Sequence, residues 1–228
     1  MALKTRDQYV QSLRNSKKRL FMFGEEIENY VDHPMIRPSL NAVAMSYELA
    51  QNPETRDLLT AESSLSGERV NRFTHLHQSQ ADLVKKIKMQ RLMGRCTACC
   101  FQRCVELDSF NALDVVTAHM DQELSTHYNE RFRKYLAHVQ EEDLMVGAAM
   151  TDAKGDRGLR PSEQKDPDLF LRIVQQDEPG SRSDGIVIRG AKLHQTGAIN
   201  AHEILVMPTR ALRADERAYA VACAVPAD

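Results

Sequence analysis

The sequence predicts an α+β protein: an N-terminal α-helical domain over residues 1–146, then a partial antiparallel β-domain over residues 147–228. Before Met145 the apolar residues recur at helical spacing. After it glycine and proline rise, and short β-rich runs stand between turn residues. Helices and strands are segregated along the chain, where a parallel α/β sheet would alternate them. With 228 residues, 42% of them apolar and 27% charged, the chain can bury a sizeable core without disulfide staples.

Thr5 precedes an amphipathic run through Leu20 that places Tyr9, Val10, Leu13 and Leu20 near one face. A second helix is predicted from Pro38 to Ala50, stopped by Asn52-Pro53 because the residue before proline avoids helical dihedrals. A third runs from about Gln80 to Cys104, with Leu83, Ile87 and Met93 along it. A fourth and fifth cover about 109–120 and 124–142. The strands expected are 169–174 (LFLRIV), 185–190 (GIVIRG), 203–208 (EILVMP) and 219–226 (YAVACAVP). Turns at Asp166-Pro167, Pro179-Gly180, Asp184-Gly185 and Gly197 bound them. The polar stretch from Thr151 to Lys165 has the character of a binding loop.

Thirty basic residues against 32 acidic give a net charge of -2. That balance argues against nucleic acid and against a polybasic membrane anchor as partners. No apolar run is long enough to span a bilayer, and the charged N-terminal stretch lacks the apolar centre of a signal peptide. A cytoplasmic location is the expectation. YAVACAVPAD ends directly on a predicted strand, so an exposed β-edge is expected there, on a chain that forms one part of a larger working unit.

Four of the five cysteines crowd into nine residues: Cys96, Cys99, Cys100 and Cys104. A disulfide scaffold would spread them, so this crowding points to metal or redox chemistry. If the stretch is helical, Cys100 and Cys104 lie one turn apart, about 6 Å along the axis, and could supply two thiolates to one metal centre. Cys96 lies about 12 Å from Cys104 and Cys99 is turned by about 100°, so spacing supports two ligands well and four poorly. Free cysteine is also a small core residue, and spacing alone leaves that alternative open.

The second constellation pairs AMTDAKGDRG (149–158) with GAKLHQTGAIN (190–200). The first offers the Thr151 hydroxyl, backbone amides around Gly155 and the Arg157 cation; the second places His194, Gln195 and Thr196 just after a strand. Such groups can hydrogen-bond a heterocycle and approach a pyrophosphate. Two ordinary polar turns would read the same way.

These loops resemble the pair by which the acyl-CoA dehydrogenase superfamily holds flavin. FMFGEEIENYVDHPMIRPSLNAVAMSYELAQ (21–51), the KMQRLMG…CFQRC stretch (88–104) and MTDAKGDRG more closely resemble the 4-hydroxybutyryl-CoA dehydratase family, a relative of the 4-hydroxyphenylacetate 3-monooxygenases. CFQRC beside a flavin-type loop pair is the most specific element, because the monooxygenase relatives lack the cysteines. The resemblance covers essentially the whole chain.

It implies an acyl-CoA dehydrogenase-like fold and a homotetramer that binds FAD and a [4Fe-4S] cluster. The implied reactions are dehydration of 4-hydroxybutyryl-CoA to crotonyl-CoA and isomerisation of vinylacetyl-CoA. Cys100 and Cys104 match two cluster ligands. Met150, Thr151, Asp152, Ala153, Lys154, Gly155, Asp156 and Arg157 match one flavin loop, and His194, Gln195, Thr196 and Gly197 the other. Thr151 and Thr196 are expected toward the isoalloxazine, with Gln195 beside it and Arg157 nearer the phosphate. Cys96 and Cys99 receive no role. The family's other ligands, a histidine and a cysteine, and several active-site acids lie beyond residue 228, so no catalytic residue is assigned here. The implied partners are an acyl-CoA substrate and either a homo-oligomer or a complementing C-terminal chain, and the isolated chain is not expected to catalyse dehydration. His202 is expected at the surface. A flavin-dependent monooxygenase-like oxidoreductase and a noncatalytic metal-binding fragment are the alternatives.

Overall fold

The computed structural model describes residues 3–176 and 185–228. Pro179-Gly180 and Asp184 therefore lie outside the described residues. Helix α1 (Arg6–Arg14) begins with a capping box in which Thr5 accepts from the Gln8 amide and the Gln8 side chain accepts from Thr5. It ends at Asn15, short of the predicted Leu20. The chain leaves the helix there because Lys18 carries its ammonium to the Ile199 and Ala201 carbonyls. Strands β1 (Phe21–Met22) and β2 (Glu25–Glu26) form a short hairpin. Helix α2 (Arg37–Gln51) has Pro38 in its first turn and an extended Asn52 at its end, as the sequence predicts.

Helix α3 (Arg56–Leu59) leads into an antiparallel pair, β3 (Thr60–Glu62) and β4 (Arg69–Asn71), which composition did not reveal. Helix α4 (Gln80–Thr97) is capped by the Ser79 hydroxyl. It does not continue to Cys104. Ala98 takes φ 51° and Gln102 φ 65°, both left-handed, and a new helix α5 (Cys104–Leu124) begins. The break has a packing cause. Phe101 packs against Phe73 while Gln102 and Arg103 are buried, and three consecutive helical residues sweep about 200°, too far to share one side. Helix α6 (Tyr128–Glu141) completes the helical half.

The sheet that follows is mixed, not antiparallel throughout. Strand β5 (Val146–Ala149) pairs in parallel with β8 (Glu203–Val206), and β8 pairs antiparallel with β9 (Cys223–Pro226), giving the order β5-β8-β9. Among the described residues β9 is an edge strand, as expected for the last run. Strands β6 (Arg172–Gln176) and β7 (Ile186–Arg189) form a separate antiparallel pair with a register shift between Ile173 and Gln175.

Helices and sheet share their cores. Tyr9, Leu13, Val43 and Tyr47 pack with Met145 and Ala201; Phe110, Phe132, Leu136 and Val139 pack with Val146 and Leu205. The Tyr9 and Tyr47 rings stack at 4.5 Å, and the Tyr9 hydroxyl donates to the Asn200 carbonyl at 2.7 Å. A third cluster, Leu59, Phe73, Met89, Met93 and Leu107, lies within the helical half.

Two polar devices cross this seam. Arg103 and Glu106, both fully buried, pair at 2.6 Å. Glu106 also accepts the Val146 amide at 2.7 Å, and Arg103 reaches the Ser46 hydroxyl at 3.0 Å between the Tyr47 and Phe73 rings. His202 is half-buried, not a surface residue. Its Nδ1 accepts the Met145 amide at 2.9 Å, which leaves Nε2–H to donate to Ser12 at 2.8 Å. Burial, with Lys4, Lys18 and Arg103 nearby, pulls its pKa down to about 3.

A histidine held neutral when folded takes up its proton on unfolding below about pH 6.5, so its stabilisation is complete above that pH and is lost as pH falls toward 3. Urea denaturation at pH 7 and pH 5 should show a loss of about 1–2 kcal/mol attributable to this residue. His202→Asn, which keeps an acceptor for Met145, should reduce the pH dependence by that amount; an unchanged dependence would show that the histidine does not govern it.

Candidate functional site

Strand β5 runs out at Ala149 directly into Met150–Arg157, and β7 runs out into His194–Gly197. The structure sets these two loops side by side. The Leu193 amide donates to the Thr151 carbonyl at 2.7 Å, and Asp152 bridges to Lys192. Lys192 then ties three segments together: its ammonium donates to Asp152 Oδ1 at 2.6 Å and to the Met150 and Met207 carbonyls, each at 3.0 Å. Thr209 donates to Asp152 Oδ2 at 3.0 Å. The Asp152 carboxylate is thus committed inside the protein, as are the Met150 and Thr151 carbonyls and the Ala153 amide, which donates to the Leu169 carbonyl at 3.2 Å.

The first loop is shaped by its interior. Gly155 takes φ +52°, and a Cβ there would lie 2.4 Å from Leu169 Cδ1 and 2.5 Å from Gln164 Oε1. Gln164 accepts the Asp156 amide at 3.1 Å and donates to its carbonyl at 2.8 Å. Lys154, Asp156 and Arg157 are exposed, Met150, Thr151 and Ala153 half-buried. Among the described residues no ion pair engages Arg157 and no hydrogen bond engages the Thr151 hydroxyl. In the second loop His194 has φ +56° and its carbonyl accepts the Thr196 amide at 3.0 Å, while Gln195 turns its amide back to the Leu193 carbonyl. His194 and Thr196 are exposed.

The cysteine segment meets this second loop. Gln102, between the two cysteines, packs on Gly197, whose φ is +82°; a Cβ on Gly197 would lie 2.8 Å from Gln102 Oε1. Gln102 Oε1 accepts from Asn200 at 2.8 Å, and its Nε2 donates to the Ser39 carbonyl at 2.9 Å. The sequence reading missed Gln102, Asn200 and Lys192 as the residues that assemble the site. Each lies inside a motif it quoted, but their partners are far away in the chain.

Cys100 sits exposed in the linker, and Cys104 is the first residue of α5, half-buried. The two thiols therefore do not share a helical face. Burial pushes the Cys104 thiol up, with Cys100 adding to the rise, while the backbone amides of 104 and 105 at the helix start pull it down. Cys96 and Cys99 are exposed. Among the described residues no group of three or more His, Cys, Asp or Glu could hold a metal ion. The segment offers thiols alone, and neither His194 nor His202 joins Cys100 and Cys104 as a third donor.

The profile of the family described as 4-hydroxyphenylacetate 3-hydroxylase, N terminal, matches residues 5–228. The chain belongs to this family. Within it, the chain is 58% identical to the 4-hydroxybutyryl-CoA dehydratase/vinylacetyl-CoA-Δ-isomerase of Clostridium aminobutyricum, over 99% of this chain and 45% of that protein. It is 28% identical to the oxygenase component of a Thermus thermophilus 4-hydroxyphenylacetate 3-monooxygenase, over 98% of this chain and 44% of the relative. Among solved structures, an oxygen-tolerant archaeal 4-hydroxybutyryl-CoA dehydratase from N. maritimus superposes with a TM-score of 0.93 at 47% identity, covering 99% of this chain and 44% of that one. A 4-hydroxyphenylacetate 3-monooxygenase oxygenase component complexed with FAD and 4-hydroxyphenylacetate gives 0.76 at 25% identity, over 98% of this chain and 45% of that one. The chain spans about half the length of the curated relatives it matches. No helix among the described residues is long and apolar enough to cross a membrane.

Removing Lys192 strands a buried carboxylate, so Lys192→Met should cost about 3–5 kcal/mol in urea denaturation. Gly197→Ala meets both the left-handed backbone and Gln102 and should cost about 1–3 kcal/mol. A silent Gly197→Ala would mean that the cysteine segment is not seated on this loop.

Proposed function

We propose that the protein carrying this chain dehydrates 4-hydroxybutyryl-CoA to crotonyl-CoA and isomerises vinylacetyl-CoA, using FAD and a [4Fe-4S] cluster. The observation that carries the reading is the seating of Gln102 on Gly197, which brings the cysteine segment against the second flavin-type loop, itself bridged to the first. The 58% identity to a dehydratase/isomerase over nearly the whole chain supports it. Cys100 and Cys104 are proposed as two of the cluster's ligands. Flavin is proposed to lie on Met150–Arg157 and His194–Gly197, consistent with the FAD-complexed relative of similar fold.

The chemistry explains why such groups would meet. A thioester acidifies the α-proton but leaves the β C–H unactivated, so acid–base catalysis alone is insufficient. Bound together, flavin and cluster supply one-electron transfer and a Lewis-acidic iron for the leaving hydroxyl. This chain's residues orient and anchor. The exposed Arg157 offers a cation for a phosphate, Thr151 and Thr196 offer hydroxyls to the ring, and backbone amides lie along both loops. The remaining cluster ligands and part of the acyl-CoA pocket are assigned to the protein outside this chain, and the whole is proposed to assemble as a homotetramer. Cytoplasmic residence is part of the same proposal.

A visible spectrum of the anaerobically reconstituted protein separates the readings. Flavin bands with a broad brown shoulder support the dehydratase, flavin alone supports a monooxygenase-like oxidoreductase, and neither supports a noncatalytic fragment. Cys104→Ala should abolish cluster iron, whereas Cys96→Ala should retain it. Full iron content in Cys104→Ala would remove this cysteine from the ligand set. Thr151→Val should weaken FAD several-fold, the loss of about 1 kcal/mol for one hydrogen bond, and Arg157→Ala should cost more. Unchanged FAD affinity in both would leave the loops as plain turns.

A further inference from the structure

Glu106 lies two residues beyond Cys104, in the first turn of α5, with its side chain completely buried. One of its oxygens accepts two bonds from Arg103, at 2.9 Å from Nε and 2.6 Å from Nη2. The other accepts the amide of Val146 at 2.7 Å, the first residue of β5. Four residues later the same strand becomes the Met150–Arg157 loop. A single carboxylate therefore ties the helix start that bears Cys104 to the strand that delivers the flavin-type loop. Arg103, the residue adjacent to Cys104, is held in turn by the Ser46 hydroxyl on α2 and by the Tyr47 and Phe73 rings, with centroids at 4.9 and 4.7 Å. Nothing in this cluster reaches solvent, so neither residue can touch a substrate.

We propose that Glu106 is a positioning residue: through its bond to the Val146 amide it fixes the thiol of Cys104 relative to the loop at 150–157, so that the two cofactor-bearing stretches move as one body. The reading rests on the proposed cofactor assignments, but the bond itself does not. A hydrogen bond to a buried amide is directional, unlike apolar contact, and it specifies which backbone position of β5 faces the helix start. Both carboxylate oxygens are occupied as acceptors, one by Arg103 and the other by the Val146 amide.

The test compares two neutral pairs in the purified protein. Arg103→Met with Glu106→Gln keeps an acceptor for Val146; Arg103→Met with Glu106→Leu removes it. Both lose the ion pair, and replacing a buried pair by neutral residues of similar volume is often tolerated. Two readouts follow in each: the rate of Cys104 alkylation by iodoacetamide, resolved by peptide mass spectrometry, and the dissociation constant for FAD. The leucine pair should alkylate at least tenfold faster and bind FAD at least tenfold more weakly, while the glutamine pair stays within about twofold of wild type in both. A purely structural role would shift the two pairs alike, and that result would overturn the proposal. If FAD fails to bind the wild type, the cofactor assignment has failed, and the alkylation arm alone still decides the positioning role. Ser46→Ala removes an Arg103 partner and leaves the Glu106 bond in place, so it must leave both readouts at wild-type values even if the double variants do not fold. A faster Cys104 alkylation in Ser46→Ala would equally overturn the assignment.

Discussion

Burying a guanidinium and a carboxylate together is costly, and the rest of this fold is arranged around having done so at Arg103 and Glu106. The attraction between them offsets desolvation only when the remaining donors and acceptors are also satisfied. Ser46 on α2 meets that condition from one stretch of chain, and the Leu144 carbonyl and Val146 amide meet it from the run into β5. Helix α2, the start of α5 and the start of β5 must therefore assemble together or not at all. This explains why α4 cannot run on to Cys104. The interruption at Ala98–Arg103 is what allows Arg103 to turn inward while Phe101 fills the third core cluster.

The sequence was legible wherever a local rule decides the structure. The helix start after Thr5, the Asn52-Pro53 stop and the strands at 186–189 and 203–206 all rest on neighbours within a few positions. The misses share a physical reason, which is that distant contacts outweigh local periodicity. The helix predicted through Leu20 yields to the reach of Lys18 toward Ile199 and Ala201. The helix predicted through Cys104 yields to the buried 101–103 run. The parallel pairing of β5 with β8 could not be read from strand composition, because both are short apolar runs that suit either direction.

The candidate site shows the same division at finer scale. Both loops and both cysteines were marked by residue type, and the structure brings the loops together and the cysteine segment against the second of them. What the sequence hid is which polar groups are structural. Lys192 and Asp152 resemble ligand-binding charges in a loop motif, yet they spend their hydrogen bonds on each other, on Thr209 and on carbonyls. His202 resembles a surface histidine but holds the Met145 amide and Ser12. Arg157, His194 and Thr196, by contrast, face outward. Charge alone distinguishes neither group; commitment to internal partners does.

Backbone strain follows the same map. Among the described residues seven non-glycine positions have positive φ, and four of them, Ala98, Gln102, Lys154 and His194, fall in the cysteine segment or the two loops. Left-handed dihedrals at such residues cost of order 1–3 kcal/mol each and persist only where the surroundings over-determine them. The surroundings here are identifiable: the Ala98 amide is bound by the Gly94 carbonyl, Gln102 by Ser39 and Asn200, and His194 by the Thr196 amide. Gly155, next to Lys154, lies under Gln164. Strain at these positions persists because identified partners hold the backbone there, so the course of the cysteine segment and of both loops is set by the packing around them and not by their own residue preferences.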